Sequence, residues 1–87
     1  MNSQEIQTAV YDWAQSQNFS APYGVLTGDH VNQKGTKYLS VTFGRARTLD
    51  ATVEIYNRNF IILRTSREVT GQVFRSVEDL QTALDLL

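Results

Sequence analysis

The chain reads as a single small α+β domain, residues 1–87, in which an N-terminal and a C-terminal helix flank an antiparallel sheet of three to five strands. Three observations predict this. The two ends carry apolar residues at helical spacing, whereas the middle carries them at alternate positions. All 8 lysines and arginines fall within that middle, between Lys34 and Arg75, so the flanking segments are acidic. The expected element order is α-(β)-β-β-β-β-α.

Ser3 to about Ser16 is expected to be the first helix, because Ile6, Ala9, Val10, Trp13 and Ala14 form one stripe at i, i+3, i+4, i+7 and i+8. Asn2 or Ser3 can cap it, and Glu5 places negative charge where the helix dipole favours it. Trp13 is the largest apolar group on the stripe and is expected to anchor the helix to the sheet. Tyr11 lies off the stripe and is expected to be exposed.

Gln17 to Gly35 is punctuated by Pro22, Gly24, Gly28 and Gly35. Two readings fit it. Tyr23 to Thr27 is a short edge strand followed by a turn at Gly28-Asp29, or the segment is an ordered surface loop carrying His30.

The sheet is clearest from Lys37 onward. Leu39, Val41 and Phe43 share one face while Tyr38, Ser40 and Thr42 share the other. Leu49, Ala51, Val53 and Ile55 alternate in the same way with Thr48, Asp50, Thr52, Glu54 and Tyr56. These are half-buried antiparallel strands joined at a tip, Gly44-Arg45-Ala46-Arg47. Asn57-Arg58-Asn59 then leads into a third strand from Phe60 to about Ser66, and a short strand follows around Gln72 to Phe74. A two-residue turn at Asn57-Arg58 would place Phe60 and Ile62 inside. A three-residue turn with Asn59 left-handed would pair Ile55 with Ile61 and place Ile61 and Leu63 inside. The second is favoured, since Asn tolerates positive φ far better than Arg. Either register leaves two large apolar residues on the nominally polar face. Glu54 is expected to face Arg64 across the hairpin. The last helix starts at Ser76, with Asp79 three residues on as in a capping box, and buries Val77, Leu80, Ala83, Leu84 and Leu87.

The helix–sheet–helix order resembles that of the double-stranded-RNA-binding domain. That family has a lysine-rich start to its last helix, whereas this chain has Ser76-Val-Glu-Asp, so the resemblance is one of element order alone.

Composition argues against chemistry. There is 1 histidine and no cysteine, which excludes a Cys–His nucleophile and a multi-histidine metal site. A serine nucleophile with His30 as base is compatible with composition, but no Gly-x-Ser-x-Gly elbow, phosphate loop or dinucleotide fingerprint accompanies it. A non-enzymatic protein is expected, with no catalytic residues, metal or cofactor. The charge of −1 gives no global attraction to nucleic acid or membrane. The N-terminal residues lack a basic segment followed by an apolar run, and no stretch approaches the roughly 20 apolar residues of a membrane span. A cytoplasmic location is expected.

Two contact surfaces remain. Arg45, Arg47, Arg64 and Arg67 gather at one end of the sheet, a candidate site for anions or nucleic acid. Lys34, Lys37, Arg58 and Arg75 gather at the other, near Glu78 and Asp79. Tyr38, Tyr56, Phe60 and Ile62 make the second sheet face more apolar than solvent favours, a candidate protein-contact face. The leading expectation is a binding module of regulator or inhibitor type that contacts a protein partner or a second copy of itself. The alternative is nucleic-acid binding through the arginine-bearing end.

Overall fold

The structure is a computed structural model describing residues 1–17, 19, 24–45 and 49–87, with Val69 described by its backbone alone. It consists of α1 (Ser3–Ser16), β1 (Leu26–Val31), β2 (Lys37–Arg45), β3 (Leu49–Asn57), β4 (Phe60–Thr65), β5 (Glu68–Phe74) and α2 (Val77–Asp85). The strands form one antiparallel sheet in sequence order, β1-β2-β3-β4-β5. The expected α+β architecture holds, with five strands, the upper end of the expected range.

Both helices lie on the same face of the sheet. Ile6, Val10 and Ala14 of α1 and Leu80 and Leu84 of α2 share one buried cluster with Val41, Phe43, Ala51, Val53, Ile55, Ile61, Leu63 and Phe74. Each fully buried Val, Leu or Ile is worth about 1.5–3 kcal/mol, so this packing outweighs any local propensity. The caps fix where the helices begin. Asn2 Oδ1 accepts from Glu5 N at 2.9 Å while Glu5 Oε1 accepts from Asn2 N at 3.0 Å, a complete capping box. Ser76 Oγ accepts from Asp79 N at 3.2 Å. Trp13 anchors α1 as expected, edge-on to Phe43 at 5.5 Å and tilted against Phe19 at 5.7 Å. Tyr11, expected to be exposed, is half-buried, and its hydroxyl accepts from Gln15 Nε2.

At the β3–β4 turn, Ile55 pairs with Ile61 and Val53 with Leu63, so Ile61 and Leu63 are buried and Phe60 and Ile62 face away from the helices. This is the favoured pairing, but the turn is Arg58-Asn59 rather than the expected three residues, because Asn57 itself pairs with Phe60. The pairing shifts around Tyr56 before Asn57 meets Phe60, and Asn57 Oδ1 accepts from Asn59 N at 2.9 Å.

Three expectations are corrected. Gly28-Asp29 is not a turn and His30 is not on a loop; all three lie inside β1, with Gly28 opposite Ser40 and His30 opposite Tyr38. The hairpin turn comes later, where Asn32 Oδ1 accepts from both Lys34 N and Thr36 N at 2.9 Å. That side chain supplies the turn chemistry attributed to the glycine. Gly44 and Arg45, expected at a hairpin tip, are paired strand residues opposite Asp50 and Leu49. Ala46 and Arg47 of that tip lie outside the described residues, as do Thr48, Pro22 and Tyr23. The last strand runs from Glu68 rather than Gln72 because a bulge absorbs Gly71, at φ +84°.

Candidate protein-contact face

The face opposite the helices is built by the alternate residues of all five strands. One row crosses the whole sheet. His30 on β1 lies 5.0 Å from Tyr38 on β2, and Tyr38 lies 4.9 Å from Tyr56 on β3, ring centre to ring centre. Tyr56 meets Phe60 edge-to-face at 5.6 Å, and the Arg75 guanidinium sits 5.0 Å over the Phe60 ring. β1 to β4 thus give one ring each to the row, and Arg75, just past the end of β5, closes it. Tyr38, Tyr56 and Phe60 are half-buried and His30 is exposed.

Ring geometry decides what this row can offer. Neighbouring strands lie about 4.8 Å apart, so rings stacked across them at 4.9 Å and 26° must stand upright on the sheet. Tyr38 and Tyr56 cover one another's faces and leave ring edges, rather than ring faces, outward. Arg75 covers one face of Phe60. An upright stack suits the polar–apolar mixture of a protein surface and gives a base or sugar ring little flat area to lie on.

A second row runs beside the first: Gly28, Ser40, Glu54, Ile62 and Val73, paired in that order. Ile62 is half-buried and Val73 is 48% exposed, so this row adds apolar surface towards β5. Leu26, also 48% exposed, adds some on β1. The expected pair forms, with Arg64 Nε 2.8 Å from Glu54 Oε2. With the Arg64 side chain 41% exposed, it is worth about 0–1 kcal/mol and orders the face more than it stabilises it. Arg64 also donates to the Thr70 carbonyl. The Tyr56 hydroxyl donates to Glu54 Oε1 at 3.1 Å. Partial burial, then this bond and the nearby carboxylate charge, raise the Tyr56 pKa above its ordinary value.

His30 Nε2 and Ser40 Oγ are 2.9 Å apart, the contact a serine–histidine nucleophilic pair would need. The setting is wrong for it. Ser40 is only 5% exposed, beneath the histidine ring, on a strand paired on both sides whose amides are committed to the ladder. The bond holds His30 down on the sheet. Gly28 makes this possible: a Cβ there would lie 2.3 Å from His30 Nε2 and 2.7 Å from Ser40 Oγ.

Tyr38, Tyr56, Phe60 and Ile62 are therefore brought together on one face. The expected arginine group is not. Arg45 follows the alternation of Val41 and Phe43 to the helix side, where its guanidinium lies 4.8 Å over Phe19. Arg64 is on the opposite face, Arg67 is exposed in the β4–β5 turn, and Arg47 lies outside the described residues. Sequence reasoning missed His30 and Arg75 as members of the row. The signal for Arg75 was its alternation with Val73. His30 became legible only once β1 was seen to run through Gly28.

Among the described residues no helix is long and apolar enough to cross a membrane. Comparison with known protein families, curated proteins and solved structures finds no match for this chain.

Proposed function

We propose that this chain is a small non-enzymatic binding module that contacts a protein partner through its helix-free sheet face, in the manner of a regulator or inhibitor. One observation carries the reading: an aromatic row crosses four of the strands, β1 to β4, with neither helix over it. Tyrosine-rich surfaces of this kind supply contact area at small entropic cost, since each ring has only two torsions to lose. The Glu54–Arg64 pair provides a satisfied polar centre beside the row. A second copy of the chain is one form the partner could take.

The alternative, nucleic-acid binding through Arg45, Arg47, Arg64 and Arg67, draws no support from geometry that separates Arg45 from Arg64 by the thickness of the sheet. The upright rings do not favour base stacking either.

The test compares what the protein retains from an extract of its own cells with what three variants retain. Tyr56→Ala and Ile62→Lys are expected to weaken capture of the partner by roughly 30-fold or more, a loss of about 2 kcal/mol typical of a central aromatic anchor. Thr82→Lys, on the exposed side of α2, is expected to leave it unchanged. Thermal melts establish that each variant folds. Equal capture by all three, or a wild type that retains only nucleic acid, would overturn the proposal.

A further inference from the structure

The sheet has two edges, and they are treated differently. The β5 edge is broken by a bulge with Gly71 at φ +84°, a device that discourages another strand from pairing there. The β1 edge has neither a bulge nor Lys, Arg or Pro within Leu26–Val31, and its two ends expose Leu26 and Val31. The turn bond from Asn32 N to Thr36 O fixes which backbone groups are spent. By the antiparallel alternation, Leu26, Gly28 and His30 bond to β2, while Thr27, Asp29 and Val31 turn their N–H and C=O groups outward. Their side chains point to the helix side, where α1 lines two shallow clefts, one between Gln7, Thr8, Tyr11 and Thr27 and one between Gln4, Gln7, Thr27 and Asp29. Gln7 fastens this arrangement by donating to the carbonyls of both Gly28 and Ser40 at 3.1 Å.

Two features specify the occupant. No lysine or arginine precedes Lys34 in the chain, so α1 and β1 carry only Glu5, Asp12 and Asp29 as charged side chains. The aromatic row is closed past Phe60 by Arg75 and open at β1, the edge strand, where Tyr38 stacks on the exposed His30 ring from the β2 side. We propose that the β1 edge takes an extended, basic segment of a partner protein as a sixth strand, with a cationic side chain opposite Asp29 and a planar one against the outer face of His30. Strand addition of this kind draws affinity from backbone bonds and specificity from alternate side chains. A second copy fits less well. Pairing centred on Asp29 opposes two carboxylates, and pairing centred on Gly28 puts Thr27 against Asp29 and Leu26 against His30. The inference rests on the protein-binding reading above but concerns a different surface, so the two can fail separately.

The probe is a blocked peptide alternating lysine with threonine around a central tyrosine, set against its glutamate counterpart, with amide hydrogen exchange followed by NMR. At about ten times its Kd the lysine peptide is expected to slow exchange of the Asp29 and Val31 amides about tenfold, and the glutamate peptide to leave them unchanged. Thr27→Pro removes an outward N–H without touching the β1–β2 ladder and should abolish the protection. Asp29→Lys should do the same without altering the backbone. Absence of protection with any peptide would overturn the inference. So would shifts confined to Tyr38, Tyr56 and Phe60, an outcome that leaves the sheet-face reading standing. Protection that grows with the protein's own concentration, without peptide, would also overturn it in favour of a second copy.

Discussion

Gly28 determines where His30 goes, and so where the aromatic row ends. Replacing it with alanine sets a methyl group against the imidazole, which can swing away because it is the free end of a side chain. The losses are one hydrogen bond, about 0.5–1.5 kcal/mol, and one ring contact of about 0.5–1.5 kcal/mol. Reduced freedom of the unfolded chain returns about 0.4–1 kcal/mol. Stability is therefore a blunt readout and ring position a sharp one. Gly28→Ala is expected to remove the Tyr38 ring-current shift from the His30 ring protons while the fold persists. A histidine spectrum unchanged from wild type would contradict this account of Gly28. At Tyr56 the raised pKa has a definite consequence. The folded state holds the phenol proton more tightly than the unfolded chain, so this contribution is intact below the ordinary tyrosine value of about 10 and is lost as pH rises through the higher folded value. Ultraviolet titration of the tyrosinate band should show a step above the ordinary tyrosine value, and Tyr56→Phe should delete that step.

At the scale of elements, legibility followed periodicity. β2 and β3 were readable because Leu39, Val41 and Phe43, then Leu49, Ala51, Val53 and Ile55, keep strict alternation. The expected pairing of Ile55 with Ile61 is found, though a register shift around Tyr56 produces it rather than a three-residue turn. β1 was not readable, because its one interior glycine serves a side-chain approach and looks in sequence like a turn. β5 was half readable for a related reason: Gly71 breaks the alternation at the point where the chain bulges. A Cβ at Gly71 would lie 2.9 Å from Ile62 Cγ2 and 3.2 Å from Arg64 Cγ, on a backbone at φ +84°. Gly71→Ala should therefore cost about 1–3 kcal/mol. For a domain of this size that lowers the midpoint by roughly 4–8 °C per kcal/mol, measurable by thermal unfolding. An unchanged midpoint would mean that the bulge relaxes freely.

At the scale of the whole molecule, the helices decide which face of the sheet is left uncovered. Both pack on one side, so the apolar residues that β4 carries on its other side, Phe60 and Ile62, lie under neither helix. The sequence made this face legible in four residues, Tyr38, Tyr56, Phe60 and Ile62, because pairing register alone determines their side. It made the arginine group illegible because tracing strands sorts residues by end of the sheet. Arg45 and Arg64 share an end but lie on opposite faces, and alternation from Phe43 carries the first of them inward.

The account stands on the helix-free face being the surface that meets a protein. Site-specific photo-cross-linking tests it most directly, with p-benzoylphenylalanine introduced in turn at Ile62 on that face and at Thr82 on α2, in cells that produce the protein. The account predicts a discrete cross-linked protein product from position 62 and none from position 82. Cross-linking from position 82 alone, or adducts at position 62 with nucleic acid only, would contradict it.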